Sequence, residues 1–157
     1  MTYLSPHFTY EEMVHSDYAI RKGLDNTPNA EQLESLKHLC VFYLEHIREE
    51  ALSPIIVTSG FRNTILNGKV GGSKNSQHCK GRAADIRALK LSTLGLMNTI
   101  VRSDLMQHID QIIYEFGGWV HVGIPRVGQA PRRQALMIFE PGKYLPFDPK
   151  EIAERRG

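Results

Sequence analysis

The sequence predicts an α+β fold in a single domain, with helices packed on a mainly antiparallel sheet. Three observations predict it. Helical patterns dominate the first third of the chain, short β-branched runs dominate the rest, and no internal repeat or shift of composition divides the 157 residues. A chain of that length is the usual size of one domain and can bury a core of its own.

The elements follow in order. Residues 9–16 open with Thr9 and place Glu12 three positions on, a capping-box pattern for a short helix. A polar loop ends at Thr27-Pro28-Asn29, where Pro28 suits the first turn of the next helix. Over residues 31–52, Leu33, Leu36, Cys40, Tyr43, Leu44, Ile47 and Ala51 recur at helical spacing, which predicts an amphipathic helix lying on something flat. Residues 54–58 are short and β-branched and are expected to form a buried strand. Residues 63–82 carry Gly68, Gly71, Gly72 and Gly81 among Asn, Ser and Lys, without periodicity; a loop that long in a compact domain is usually functional or disordered. Further strands are expected at 83–86, 110–116, 119–124 and 134–139, with a helix from Ser92 to about residue 103 between the first two. The polar connection with Pro125, Gly128 and Pro131 suggests a hairpin for the last two strands. Residues 141–157 contain three prolines and are expected to form a C-terminal tail across the surface, ending in the basic, solvated Arg155, Arg156 and Gly157.

Composition excludes several classes. The 41% hydrophobic and 23% charged fractions are those of an ordinary globular protein. No apolar run approaches the roughly 18 residues needed to cross a membrane. Nineteen basic against seventeen acidic residues leave a net charge of +2, which gives no strong attraction to nucleic acid or anionic lipid. Two cysteines, Cys40 and Cys79, make no disulfide framework, and a reducing compartment of synthesis is expected. Residues 1–10 show no basic segment followed by an apolar stretch, so no cleaved secretory signal is expected. The chain is expected to be a monomer.

The chemistry lies in two histidines and an aspartate. His7, His15, His38, His46 and His108 have no obvious company and are expected to be surface or helix residues. His78 sits in the glycine-rich loop, seven residues before Asp85, and His121 sits mid-strand. Strand alternation puts Trp119, His121 and Gly123 on one face and Val120 and Val122 on the other, and the glycine suggests space beside the imidazole. Asp85 lies among Ala83, Ala84 and Ile86, and a buried carboxylate needs a partner. A metal ion is one such partner; an arginine, Arg62 or Arg82, is another.

The run from Ser76 to Ile86, SQHCKGRAADI, resembles the S-x-H-x-x-G-x-A-x-D-[IL] motif of peptidase family M15, the zinc D-Ala-D-Ala carboxypeptidases and phage endolysin peptidases. Thr58-Ser59-Gly60-Phe61-Arg62 looks like the family's S-G-[YF]-R, Val70-Gly71-Gly72-Ser73 with Asn75 like its glycine loop, and Trp119-Val120-His121 like its W-x-H. The resemblance spans roughly residues 8–124 and implies the fold shared with the Hedgehog signalling domain. It implies that His78, Asp85 and His121 bind one Zn²⁺, two imidazoles and a carboxylate being a common catalytic set with a fourth position for water. Gly81 then lets the chain turn back so that His78 and Asp85 converge. Arg62 matches the arginine that faces substrate or the developing oxyanion, with an ion pair to Asp85 or Glu115 as the plainer role. Ser76 and Gln77 bind substrate or shape the loop. Trp119 is expected to support the core, and Cys79 to be incidental.

One departure concerns the general base. Some relatives carry Glu three residues before the last histidine, where this chain has Gly118. Glu115 is the nearest acid, and a tight turn at Gly117-Gly118 would bring it back over the metal. The resemblance thus implies a zinc peptidase acting on peptidoglycan stem peptides, as a carboxypeptidase or an endolysin-type endopeptidase. It would be made in the cytoplasm and reach the wall only on release, as in phage lysis. The alternative is a zinc-containing binding module of the same fold without turnover, favoured by Gly118. Phosphate-loop and nucleophile-elbow motifs are absent.

Overall fold

Local signals start the helices where the sequence places them. The computed structural model describes residues 1–156, and of the basic end Gly157 and the Arg156 side chain lie outside what is described. Strands β1 (Tyr3–Ser5) and β2 (Phe8–Thr9) form a small antiparallel pair ahead of the short helices α1 (Tyr10–Val14) and α2 (Asp17–Lys22). Thr9 and Glu12 complete the expected capping box. The next helix starts two residues later than Pro28 suggests: Asn29 is its N-cap and exchanges hydrogen bonds with Gln32. An amide cap satisfies free N–H groups, which proline cannot do.

The long amphipathic helix has three parts. Helix α3 (Ala30–Leu39) runs into a π-helical stretch (Cys40–Leu44) and then α4 (Glu45–Ala51). Leu36, Leu39, Cys40, Leu44 and Ile47 are fully buried, so the wide turn keeps one apolar face toward the sheet. Burial pushes the Cys40 thiol up to about 12, with Glu12 and Glu45 adding to the effect, which makes it the inert core residue expected.

The sheet has six strands: β3 (Ile55–Ser59), β4 (Ala83–Ala88), β5 (Gln111–Glu115), β6 (Trp119–Gly123), β7 (Gln134–Glu140) and β8 (Lys143–Pro146), in the order β3-β4-β6-β5-β7-β8. Every neighbouring pair is antiparallel except β5 and β7. The expected α+β architecture is therefore the observed one. Helix α5 (Thr64–Lys69) and a 3-10 turn (Gln77–Lys80) occupy part of the glycine-rich region expected to be irregular. Helix α6 (Thr93–Arg102) starts at its cap Ser92 as anticipated. Val120, Val122, Ala84, Ile86 and Ile112 join the helices in one core on one side of the sheet.

Two expectations are corrected. Strands β6 and β7 form no hairpin. Both edges of β6 are taken by β4 and β5, so β7 passes to the free edge of β5 and pairs with it in parallel. The crossing is pinned at Asp110, which accepts from the Arg132 backbone at 2.9 Å and from its guanidinium at 2.9–3.2 Å. Nor is the C-terminal stretch a surface tail. It adds β8 to β7 and ends in α7 (Pro149–Arg156), whose Ile152 is fully buried in the main core. Arg155 is not a free solvated end, since its guanidinium lies 4.1 Å over the Phe139 ring. No helix among the described residues is long and apolar enough to cross a membrane.

Ile152→Ala is expected to destabilise the protein by about 2–5 kcal/mol, the usual loss for a large aliphatic side chain in a closed core. Urea unfolding measures it, and an unchanged midpoint would mean that α7 contributes nothing to the fold.

Candidate metal centre

Strand register builds the site on the sheet face opposite the main core. Asp85 pairs with Ser59 on one side and His121 on the other, and His121 pairs with Ile113. Paired residues project to one side, so Asp85 and His121 emerge together. His78 comes from the 3-10 turn, whose last residue hands over to Gly81 at φ +71. An added Cβ at Gly81 would run into the Gln32 carbonyl, so glycine meets both the left-handed backbone and the close approach. That reversal sends the chain into β4 and sets His78 above Asp85, as expected.

The three side chains are nearly closed to solvent, at 2% for His78 and 7% each for Asp85 and His121. Asp85 Oδ1 lies 3.2 Å from His78 Nε2 and 3.0 Å from His121 Nδ1. One potential ligand atom from each residue falls within 4.8 Å of the others. Bonds of about 2.0–2.1 Å at tetrahedral angles put ligand atoms about 3.3 Å apart, so the 3.2 and 3.0 Å separations match two edges of a tetrahedral cation site.

Protonation makes the fit stronger. His78 Nδ1 lies 2.6 Å from the Gly60 carbonyl, which can only accept, so Nδ1 carries the proton. Burial holds the His78 imidazolium below its usual range, with His121 and Arg62 helping and Asp85 opposing. His78 therefore turns Nε2 toward Asp85. Burial opposes ionisation of Asp85, but the two histidines outweigh it and hold the carboxyl well below the usual carboxylate range. The 3.2 Å contact between Nε2 and the Asp85 carboxylate calls for a positive charge between them, a shared proton or a metal cation. The carbonyl that fixes the His78 tautomer is the kind of outer partner that metal-binding histidines use.

Glu115 flanks this set. Its Oε1 is 3.8 Å from His121 Nδ1, and its cross-strand neighbour is Trp119. The turn after it puts Phe116 at φ 54 and Gly117 at φ 71. Glu115 reaches the site through its place on β5, one row along from the His121 pair, and not because the turn folds it back. Burial and the Asp85 charge raise its pKa, against the opposing influence of His121, Arg62 and the Trp119 indole. Arg62 forms no ion pair with Asp85 or Glu115, whose charge partners among the described residues are the two histidines. Its Nε is buried without a hydrogen-bond partner, as is Trp119 Nε1. Its charge nonetheless bears on both His78 and Glu115.

The two loop residues expected to meet substrate are engaged within the protein. Ser76 Oγ caps the 3-10 turn by accepting from the His78 N–H. Gln77 Nε2 donates to Asp110 Oδ2 and to the Ile124 carbonyl. Its amide fills the space over Gly123, where a Cβ would collide with it. The room beside His121 is thus taken by Gln77. The Gly60 carbonyl and the Gln77–Asp110–Arg132 chain are site-supporting contacts that sequence reasoning missed; Gln77 and the strand glycine it covers, Gly123, are far apart in the chain and share no periodic signal.

The chain matches the family described as Peptidase M15 over residues 6–123. It belongs to that family. A relative from Streptomyces albus G, described as a zinc D-Ala-D-Ala carboxypeptidase, is 36% identical over 83 residues, covering 52% of this chain and 31% of its own length. The chain thus spans about a third of the curated relative it matches. Within this M15 chain, the matched segment ends at Gly123, the last residue of β6.

Elemental analysis of the purified protein is expected to find one zinc per chain, and His78→Ala or His121→Ala is expected to remove it. Retention of a full equivalent in both variants would exclude the His78–Asp85–His121 site.

Proposed function

We propose that this M15 peptidase is zinc-dependent and hydrolyses peptide bonds in bacterial peptidoglycan, as a D-Ala-D-Ala carboxypeptidase or as an endolysin-type endopeptidase. The observation that carries the reading is the buried His78–Asp85–His121 set with a raised-pKa carboxyl, Glu115, 3.8 Å from one of its nitrogens. The name of the Streptomyces relative supports zinc and the D-Ala-D-Ala bond.

His78, Asp85 and His121 would hold the ion, which supplies Lewis acidity toward water and toward the scissile carbonyl. The chain's own groups do the rest. Glu115 accepts the proton that the attacking water must lose, then returns it to the departing amine; its partly desolvated carboxyl suits both transfers. Arg62 brings a fixed positive charge to bear on the same space, where its guanidinium would donate to a terminal carboxylate or to the oxyanion. The closed walls around His78 and Asp85 keep bulk water from weakening these interactions.

The carboxyl that relatives place three residues before the last histidine is supplied here by Glu115 from across the turn. That supports turnover over a zinc-holding module without it. The protein is proposed to act as a monomer, made in the cytoplasm and reaching the wall on release.

Mass spectrometry of muropeptides after incubation with the zinc-loaded protein is expected to show loss of a terminal D-alanine or cleavage within the stem peptide. Intact muropeptides would remove the proposal. Glu115→Gln is expected to keep its zinc and lose at least about 10²-fold in kcat; near-normal turnover would take the proton transfer away from Glu115. Arg62→Ala is expected to keep its zinc and lose about 10²-fold or more in kcat/KM, the scale of one lost oxyanion donor. An unchanged value would leave Arg62 a structural residue.

A further inference from the structure

The site face of the sheet is organised in rows. One row contains Ser59, Asp85, His121, Ile113 and Leu136. The next contains Trp119, Glu115, Ile138 and Tyr144. Residues paired in register project to the same side, so Tyr144 rises on the side of Glu115, two strands away. Two strand spacings are roughly 10 Å, a gap that a tyrosine and a glutamate side chain can span between them. Ile138, which lies between, is 3% exposed, while Tyr144 is 53% exposed. The tyrosine therefore stands up from a closed apolar floor beside the proposed base.

Two further observations place Tyr144 at the site. Burial, then the Glu115 charge, push the phenol's ionisation upward, so the hydroxyl lies within the electrostatic reach of Glu115 and stays an O–H donor. On the other side of Glu115, Phe116 is held in the left-handed region at φ 54, is 45% exposed and lies 6.1 Å from the Trp119 ring. A bulky residue in that conformation costs on the order of 1 kcal/mol where glycine would cost nothing. An aromatic ring is thus kept half in solvent, at a local cost, beside Glu115.

We propose that Tyr144 is a substrate-binding residue. Its phenol donates a hydrogen bond to a backbone carbonyl of the peptide lying over Glu115, and its ring packs on that peptide's small aliphatic side chains, with Phe116 as the opposite wall. A tyrosine suits this dual contact because it joins a large apolar surface to one polar tip. The proposal rests on the peptidase reading above. It gives strand β8, which lies beyond the matched family segment, a part in choosing the substrate.

Trp119 is the single tryptophan of the chain and sits in the same row, so its fluorescence reports occupancy without turnover. Zinc-loaded wild type, Tyr144→Phe and Tyr144→Ala are titrated with a stem pentapeptide ending in D-Ala-D-Ala, and cleavage is followed in parallel. Tyr144→Ala is expected to raise both Kd and KM about tenfold, with kcat within about twofold and zinc content unchanged. Tyr144→Phe, which loses one hydrogen bond, is expected to raise them about threefold. Equal Kd and KM in all three proteins would overturn the inference and leave the peptidase standing. So would a loss of kcat at constant KM, which would put Tyr144 in the chemical step. A wild type that neither changes its fluorescence nor cleaves the peptide would overturn both readings.

Discussion

The Asp85 carboxylate is the constraint around which this protein is arranged. Taking a charged group out of water is expensive unless other groups meet it. Asp85 sits on β4, inside the sheet, and is 7% exposed. Its partners must come from both directions. His121 comes through the ladder, directly opposite on β6, and His78 comes through the reversal at Gly81. The Gly60 carbonyl then fixes which nitrogen of His78 faces inward. One buried charge thereby links the S-G-F-R turn, the glycine-rich region and two central strands.

The same strands also separate stability from chemistry. Along β6, Val120 and Val122 enter the core, while Trp119, His121 and Gly123 face the other way. Strand alternation enforces that division at every position, so neither face can borrow residues from the other. The helices cover the apolar side and leave the opposite side to polar groups. Ile113 and Ile138 are buried outside the main core, as a small apolar floor beneath Glu115.

Legibility in the sequence followed the range of the interaction. Capping at Thr9 and Ser92, the periodicity of α3 and α4 and the alternation along β6 are local, and the sequence displays them. The His78–Asp85–His121 set was legible only through the resemblance of several short motifs, in order, to those of a known family. Strand order was not: the parallel passage of β7 beside β5 depends on which edges are already filled, and no property of residues 124–140 encodes it. The partners of Gln77, Asp110 and Ile124, were hidden for the same reason, since they are more than thirty residues away. The fate of residues 141–156 turned on Ile152, with Leu145 and Phe147 packed beside the core, too few and too irregularly spaced to make a periodic signal.

Strand β8 closes the sheet on one side and leaves its outer backbone groups without a neighbouring strand. Such an edge invites pairing with another chain. Here it is only four residues long, ends in Pro146, which has no N–H to offer, and begins with Lys143, held 2.8 Å from Glu140. Brevity, a proline and a charge are the usual guards against edge-to-edge stacking. The composition of the strand that carries Tyr144 disfavours edge-to-edge pairing, which would leave the approach to the proposed binding wall open.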